Sequence, residues 1–145
     1  MDIADAILAE IVAQAWDVPF APRRHFRIAR SDEALLQAVV TVIPATEIQS
    51  EMADRGEVRR NYPSAVLLQK VIDRPDVDDA YNEECAILAA QVEALAAFFE
   101  DHHRLASMPT YWIEEVSIPV LFSPVDLQES NFFNALIEVK VGNIR

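Results

Sequence analysis

Residues 79–105, DAYNEECAILAAQVEALAAFFEDHHRL, decide most of the fold. The segment lacks proline and glycine, and its larger apolar residues recur at steps of four and three: Tyr81, Cys85, Leu88, Val92, Leu95 and Phe99. That spacing places them along one side of an α-helix. With a rise of about 1.5 Å per residue, the helix would be about 40 Å long, enough to cross a sheet in a small domain. We therefore expect a long helix that packs on a β-sheet.

Two segments before this helix are typical of strands. Residues 36–44 are β-branched and apolar on both faces, and Pro44 ends the run. Residues 64–72 form a second apolar run, and its closeness in sequence predicts that the two strands pair. The intervening residues 46–62 are polar, with Gly56 available for a turn. Either an extended two-strand arm or a solvated loop is compatible with that segment.

The N-terminal region predicts a second helix. Residues 3–16 carry apolar side chains at helical spacing, and Pro19 and Pro22 prevent the helix from continuing. Residues 25–30 then alternate apolar side chains with arginines. That alternation favours a short, half-exposed strand or an extended arm.

The C-terminal region predicts two more strands. Residues 111–122 and 135–141 have strand-like composition and are joined by a polar linker at 123–131. The order of elements predicts that residues 1–145 form a single α+β domain. We expect a mainly antiparallel sheet of four to five strands, with the long helix and the N-terminal helix packed on one face.

The charge of the chain disfavours wrapping of nucleic acid. With 24 acidic and 12 basic residues, the formal net charge is −12 at pH 7. Such a surface repels a polyphosphate. Four arginines nevertheless lie close together in the stretch 23–30: Arg23, Arg24, Arg27 and Arg30. A local contact with phosphate is conceivable there, but we assign no role to this stretch.

Cysteine usage and hydropathy indicate a cytosolic protein. Cys85 is the only cysteine, so no disulfide forms within the chain. Because it lies on the apolar stripe of the long helix, we expect it to be buried and unreactive. No apolar run approaches about 18 residues, so we expect neither secretion nor a membrane-spanning segment.

No metal site is indicated. Asp101, His102 and His103 superficially resemble a metal-binding cluster. Adjacent helical residues point about 100° apart, however, and no second Asp/His cluster completes a site. His25 lies among arginines, with no serine or cysteine motif that it would activate. We interpret it as a surface histidine.

Other catalytic sites are not indicated either. The chain has only Gly56 and Gly142, so no glycine-rich phosphate loop can be written. Glycosidase-type catalysis needs two carboxylates that face a substrate from separate positions. The notable acids are instead adjacent pairs, which we interpret as solvated: Asp78 and Asp79, Glu83 and Glu84, and Glu114 and Glu115. We therefore expect no enzyme activity and no cofactor.

The polar segment 46–62 points to self-assembly. Its charges are mixed in sign, which suits ion pairing across a subunit boundary. Strands that are apolar on both faces also leave one side for another copy to cover. The residues predicted at this interface are the following: Glu51, Arg55, Glu57, Arg59 and Arg60.

The order and spacing of these segments resemble the tail terminator and tail completion proteins of long-tailed bacteriophages. The resemblance covers most of the chain. Six segments carry it: the amphipathic helix 3–16, the strand ending Val-Thr-Val-Ile-Pro at 40–44, the arginine-bearing segment 50–62, the strand 65–72, the long helix 79–105 and the closing strand 133–141.

The resemblance implies a subunit of a virion ring, with six-fold symmetry expected. The ring would cap the tail tube protein, end its polymerisation and present a joining surface to a head-tail connector or neck protein. Arg55, Arg59 and Arg60 would lie near a subunit or tube contact. The surplus of acids would line a channel through which DNA passes as cargo without sticking. Assembly would take place in the host cytoplasm, with no membrane involved.

Two alternatives stay open at this point. The chain is also compatible with another virion joining protein, such as a head-tail connector or neck component, that binds a different neighbour. A more distant alternative is a small ligand- or metal-binding α+β domain that uses His25, His102 or His103.

Overall fold

A computed structural model of the protein describes residues 2–26, 36–52, 56–102 and 104–144. These residues form helices and strands in the following order: α1 Ile3–Val12, β1 Ala21–Arg24, β2 Val39–Ile43, β3 Gln49–Met52, β4 Val58–Val71, α2 Asp78–Asp101, β5 Arg104–Leu105, β6 Met108–Val120, α3 Pro124–Ser130 and β7 Phe132–Ile144. The predicted α+β class is confirmed. None of the described helices combines the length and apolar character that a bilayer span requires.

The described strands form one mixed sheet that is larger than predicted. Seven strands are present, in the order β1-β2-β4-β7-β6-β5, with β3 beside β4. β1 runs parallel to β2, and the other pairs are antiparallel. The strands beyond the predicted four are β1, β3 and β5, each of four residues or fewer. Strands this short give almost no period-two signal, which explains why they were not all predicted.

The segment predicted as a strand or arm at 25–30 lies mostly outside the described residues. β1 ends at Arg24, and the N–H of His25 still donates to the carbonyl of Val42 at 3.1 Å. His25 and Phe26 are exposed, and residues 27–30 lie outside the described ranges. The strand therefore begins four residues earlier than the alternation of arginines indicated.

β4 and β7 form the centre of the sheet. They pair continuously from Arg59 opposite Ile144 to Val71 opposite Phe132. On its other side, β4 pairs with β3 at residues 58–61 and with β2 at residues 65–69. Between these ladders lies Pro63, whose missing N–H breaks no ladder bond on that side. The two predicted strands thus pair as expected, in one long hairpin whose first arm, β2 and β3, is interrupted.

One face of the sheet packs against α1 and α2. Alternate strand residues such as Val66, Leu68, Ile137 and Val139 point to this face and are buried. They share one core cluster with residues of both helices: Ile7, Ile11, Leu88, Val92, Leu95 and Phe99. The stripe predicted for the long helix is therefore its packing face, with Tyr81 and Cys85 half buried at one end.

The two predicted helices, 3–16 and 79–105, both extend beyond the C-terminal ends of the observed helices α1 and α2. α1 ends at Val12, because the indole Nε1 of Trp16 turns back and donates to the carbonyl of Ile11 at 2.9 Å. α2 ends at Asp101, and the following His102 places its Nδ1 2.6 Å from the carbonyl O of Phe98. Ending the helix here allows Leu105 to enter the core from β5, where it is fully buried.

The linker predicted at 123–131 contains a short helix, α3. The Oγ of Ser123 accepts from the N–H of Asp126 at 3.3 Å, and Pro124 occupies the first turn. Asn131 ends the helix in the left-handed conformation, with φ of 50°. Serine before a helix, proline in its first turn and asparagine after it are ordinary boundary signals. The polar composition of the linker concealed them.

Candidate interaction surface at the hairpin end of the sheet

The polar segment 46–62 forms the end of the long hairpin. β3 pairs with β4 from Gln49 opposite Asn61 to Met52 opposite Val58. Gly56, shortly before β4, has φ of +79°, a conformation that glycine adopts without steric cost. All four residues of β3 are exposed, and among the described strands β3 pairs with β4 alone. This end of the sheet therefore presents a free strand edge.

Strand alternation places the adjacent residues Arg59 and Arg60 on opposite faces of the hairpin. Arg59 lies across from Glu51, on the side that we call the outer face. Arg60 lies across from Asn143 and shares its side with Val66, the core residue six positions later. We call this side the inner face, because α1 and α2 cover it farther along the sheet.

On the outer face, Arg59 is paired within the chain. Its Nε and Nη2 lie 2.6 and 2.5 Å from Oε1 of Glu114. The same oxygen accepts from Nε1 of Trp112 at 3.2 Å, and Glu51 lies 3.8 Å from Nη1 of Arg59. Only 12% of the Glu114 side chain is exposed, against 40% for Arg59. Arg59 and Glu51, both predicted at a subunit interface, thus already have ionic partners in the monomer.

A β-bulge and a glycine bring Glu114 to Arg59. Glu114 is the extra residue between Ile113 and Glu115 where β6 shifts its register against β7. Its carboxylate lies over Gly142, where a Cβ would be 2.5 Å from the Cδ of Glu114. The prediction that Glu114 is a solvated acid was therefore wrong, whereas Glu115 is exposed.

On the inner face, several polar atoms have no partner. Arg60 Nε, Ser64 Oγ and Asn143 Oδ1 are buried, and none of the three has a hydrogen-bond partner in the described part of the chain. Ser64 is 1% exposed and Asn143 is 7% exposed. Nearby, Ile48 and Met52 leave 58% and 74% of their surface exposed. Unsatisfied polar atoms beside exposed apolar side chains are typical of a surface that a partner covers.

A cavity of about 320 Å³ continues the inner face towards the N-terminal end of α1. Its lining includes Ile3, Pro44 and Ile48, together with two tyrosines, Tyr62 and Tyr111, whose rings lie 5.9 Å apart. The lining is mainly apolar and aromatic. A partner that docks on the inner face would therefore have a recess in which to insert an apolar side chain.

Of the other two predicted interface residues, Glu57 alone lies within the described part of the chain. Glu57 is exposed beside Gly56 at the start of β4. Arg55 lies outside the described residues. Of the five predicted residues, the structure therefore brings Glu51 and Arg59 together on the outer face and leaves Arg60 apart from them on the inner face.

Part of the arginine-rich stretch has a structural role. Arg24 forms an ion pair with Asp2, lies 3.7 Å from Asp5, and places its guanidinium 4.6 Å from the centre of the Phe26 ring. Asp2 and Asp5 form a capping box at the start of α1. Burial alone would raise the pKa of Asp2, but the N–H of Asp5 and the Arg24 guanidinium hold it below its ordinary value. Arg24 therefore ties β1 to the start of α1.

A second ion pair corrects another prediction about acidic pairs. Lys70 bonds to Glu84 and, at 2.9 Å, to Asp73, with 12% of the lysine side chain exposed. Burial would lower the pKa of Lys70, but its hydrogen bonds to Glu84 and Asp73 raise it above the ordinary value. Glu84 is therefore not the solvated acid that was predicted, and it joins the end of β4 to α2.

The side chains considered for chemistry were compared with the requirements of a metal or nucleophile site where the structure describes them. No group of three His, Cys, Asp or Glu residues among the described residues is arranged to hold a metal ion. His102 is engaged with the carbonyl of Phe98, and His103 lies outside the described ranges. Cys85 is half buried, and burial, together with the neighbouring Glu84, raises the pKa of its thiol. These positions give no support for a nucleophile or a metal centre.

Sequence reasoning missed the residues that complete the two faces, namely Ser64, Glu114 and Asn143. Their types and approximate strands were visible, but their neighbours depend on strand register and on a bulge. One signal was available, because a glycine inside a strand often marks the close approach of another group. Gly142 marks the approach of Glu114 in this way.

The chain matches no protein-family model, and a search of curated proteins found no match.

Proposed function

We propose that this chain is a non-enzymatic structural protein of a virion, and that it assembles into a ring that caps a tail tube as tail terminator proteins do. One observation carries the proposal: on the inner face of the hairpin, Arg60, Ser64 and Asn143 have buried polar atoms without a hydrogen-bond partner among the described residues, beside the exposed Ile48 and Met52. Each unsatisfied buried atom costs about 1–3 kcal/mol. A neighbouring protein subunit that supplies hydrogen bonds and covers the apolar side chains would remove that cost.

The ring and its position in the particle are supported by the resemblance. The ring, with six-fold symmetry proposed, would contact the tail tube protein on one side and a head-tail connector or neck protein on the other. A net charge of −12 per subunit would keep DNA from adhering while it passes through the lumen. The ring would belong to the virion and assemble in the host cytoplasm.

The test is the mass of the purified protein by light scattering over a range of concentrations, followed by co-sedimentation with tail tubes. We expect a ring in solution, or a capped tube of fixed length when tubes polymerise in its presence. Binding to a connector but not to tubes would favour another neck component. A strict monomer that ignores both would contradict the proposal and favour a small binding domain.

A further inference from the structure

Among the described residues, the inner face of the hairpin carries a cation without a partner, in a strongly acidic chain. Arg59 is paired with Glu114, whereas Arg60 takes part in no ion pair found among the described residues, and its Nε has no hydrogen-bond partner there. Its Nε is buried beneath the hairpin surface. An arginine in this situation is suited to a carboxylate supplied from outside, because its planar donors match carboxylate oxygens.

The apolar part of the same face defines the partner further. Met52 lies across from Val58 and on the same side as Arg60, and Ile48 lines the neighbouring cavity. The partner must therefore combine a carboxylate with an exposed apolar side chain. A purely charged partner would leave Ile48 and Met52 in water, and a purely apolar one would leave Arg60 unpaired.

The chain itself carries such a segment at the start of α2. Residues 76–79 read Asp-Val-Asp-Asp, and all four are exposed, with Val77 leaving 44% of its surface in contact with solvent. The N-cap position of α2 is Val77, whose side chain makes no capping hydrogen bond. This turn therefore presents three carboxylates around one apolar side chain.

The two surfaces cannot meet within one molecule. Arg60 and Val71 are eleven residues apart along β4, which corresponds to about 36 Å of strand. The acidic turn follows Val71, at the end of β4 away from the hairpin. A carboxylate from residues 76–79 therefore reaches Arg60 only if it comes from another copy.

We propose that the inner face of the hairpin of one copy binds the acidic turn 76–79 of a second copy, with Arg60 as the cation and Val77 against Ile48 and Met52. This inference rests on the proposed function and names the contact that joins the subunits. The two surfaces differ and lie at opposite ends of the same strand, so the contact is head-to-tail and builds a ring or an open chain. Elsewhere, copies with a charge of −12 repel one another, and that repulsion directs association to this contact.

The experiment compares association of charge variants by sedimentation and light scattering, with and without tail tubes. Arg60→Glu should weaken self-association at least tenfold, since charge pairs at interfaces couple by about 1.5 kcal/mol or more. Asp78→Lys with Asp79→Lys should weaken it from the other side. Combining all three substitutions in one chain should restore association. The matched control is Arg104→Glu, an exposed residue with the same change of charge.

A second variant at Arg60 that keeps the fold distinguishes loss of the contact from unfolding of the protein. Arg60→Gln retains polarity and length, so it should melt near the wild type, associate more weakly and lose most of its dependence on salt. The acidic-turn variants alter only exposed side chains and test the contact without touching the hairpin.

The outcomes separate this inference from the proposed function. If the wild type assembles and the Arg60→Glu variant assembles equally well, the inference is overturned and the proposed ring stands. If Arg60→Glu loses binding to tail tubes without any change in self-association, the inference is also overturned, because the tube protein would then occupy the inner face of the hairpin. Wild type that stays monomeric and ignores tubes would overturn both.

Discussion

Replacing Gly142 by alanine should destabilise the protein by displacing Glu114. A Cβ at position 142 would lie 2.5 Å from Cδ and Oε1 of Glu114 and 2.9 Å from its Cγ. Carbon atoms in favourable contact lie about 3.5–4.0 Å apart, so the side chain must move by roughly an ångström. Its short contacts with Arg59 and Trp112 would then lengthen or break.

The size of the effect follows from the exposure of the partners. Hydrogen bonds to charged groups contribute about 1.5–3 kcal/mol, and overpacking costs about 1–3 kcal/mol. Because 40% of the Arg59 side chain is exposed, solvent screens part of its interaction with Glu114. We expect Gly142→Ala to lower the free energy of unfolding by about 1–2 kcal/mol, or the Tm by about 2–8 °C. Urea unfolding followed by tryptophan fluorescence measures this change in the free energy of unfolding, and Trp112 lies beside the contact between Arg59 and Glu114.

If the clash with Glu114 destabilises Gly142→Ala, the cost of the substitution must depend on Glu114. The three atoms nearest to the added Cβ all belong to Glu114, so Gly142→Ala should cost much less in a Glu114→Ala background. Gly56→Ala is the contrasting control: its φ of +79° makes alanine unfavourable, but no atom of the described residues lies within 4 Å of an added Cβ. That variant should lose about 1 kcal/mol in either background. An equal cost of Gly142→Ala with and without Glu114 would refute the clash.

Three further predictions concern charged groups and the thiol. Asp2→Ala should lower the free energy of unfolding by about 1 kcal/mol, because it removes the N-cap of α1. In the wild type the pKa of Asp2 is lowered, so its contribution to stability is present above pH 3.8 and disappears in acid as the pH falls through the folded value. Glu84→Gln should reduce stability at neutral pH and flatten the loss of stability at alkaline pH. The raised pKa of Lys70 gives a contribution to stability that is complete below pH 10.5 and lost as the pH rises through the folded value. An unchanged dependence of stability on alkaline pH would contradict the pairing of Lys70 with Glu84. With its pKa raised by burial, Cys85 should react with a thiol reagent more slowly in native protein than in urea, and equal rates would contradict its burial.

The helix and the main strands were predictable because their signals are periodic and long. The apolar stripe of the long helix runs through Leu88 and Phe99, and both are buried as the spacing requires. The short strands were not predictable in the same way. β5 consists of Arg104 and Leu105, which continue the helical pattern in sequence, and only the packing of Leu105 in the core determines that they leave the helix.

The candidate surface was predictable as a region but not as a pair of faces. Two adjacent arginines in a strand necessarily point to opposite sides, and a shift of register by one residue would exchange them. The polar composition around Arg59 and Arg60 obscured the strand, so both were assigned to one interface. The partner of Arg59 was equally inaccessible, since Glu114 reaches it only through a bulge in a strand 55 positions away.

The two faces of the hairpin differ in how the charge of their arginine is satisfied, although each face also has a buried amide oxygen without a hydrogen-bond partner among the described residues, on Asn61 and on Asn143. The outer face satisfies its charges internally: Glu114 accepts from Arg59 and Trp112, and Gly142 leaves room for it. An acidic residue opposite Arg60 would satisfy its charge in the same way, but the residue there is Asn143, and both side chains have buried atoms without a partner in the described part of the chain. Such local violations of hydrogen-bond satisfaction tend to occur where a protein meets something else. The outer face therefore stabilises the hairpin, and the inner face is the side on which we expect a partner.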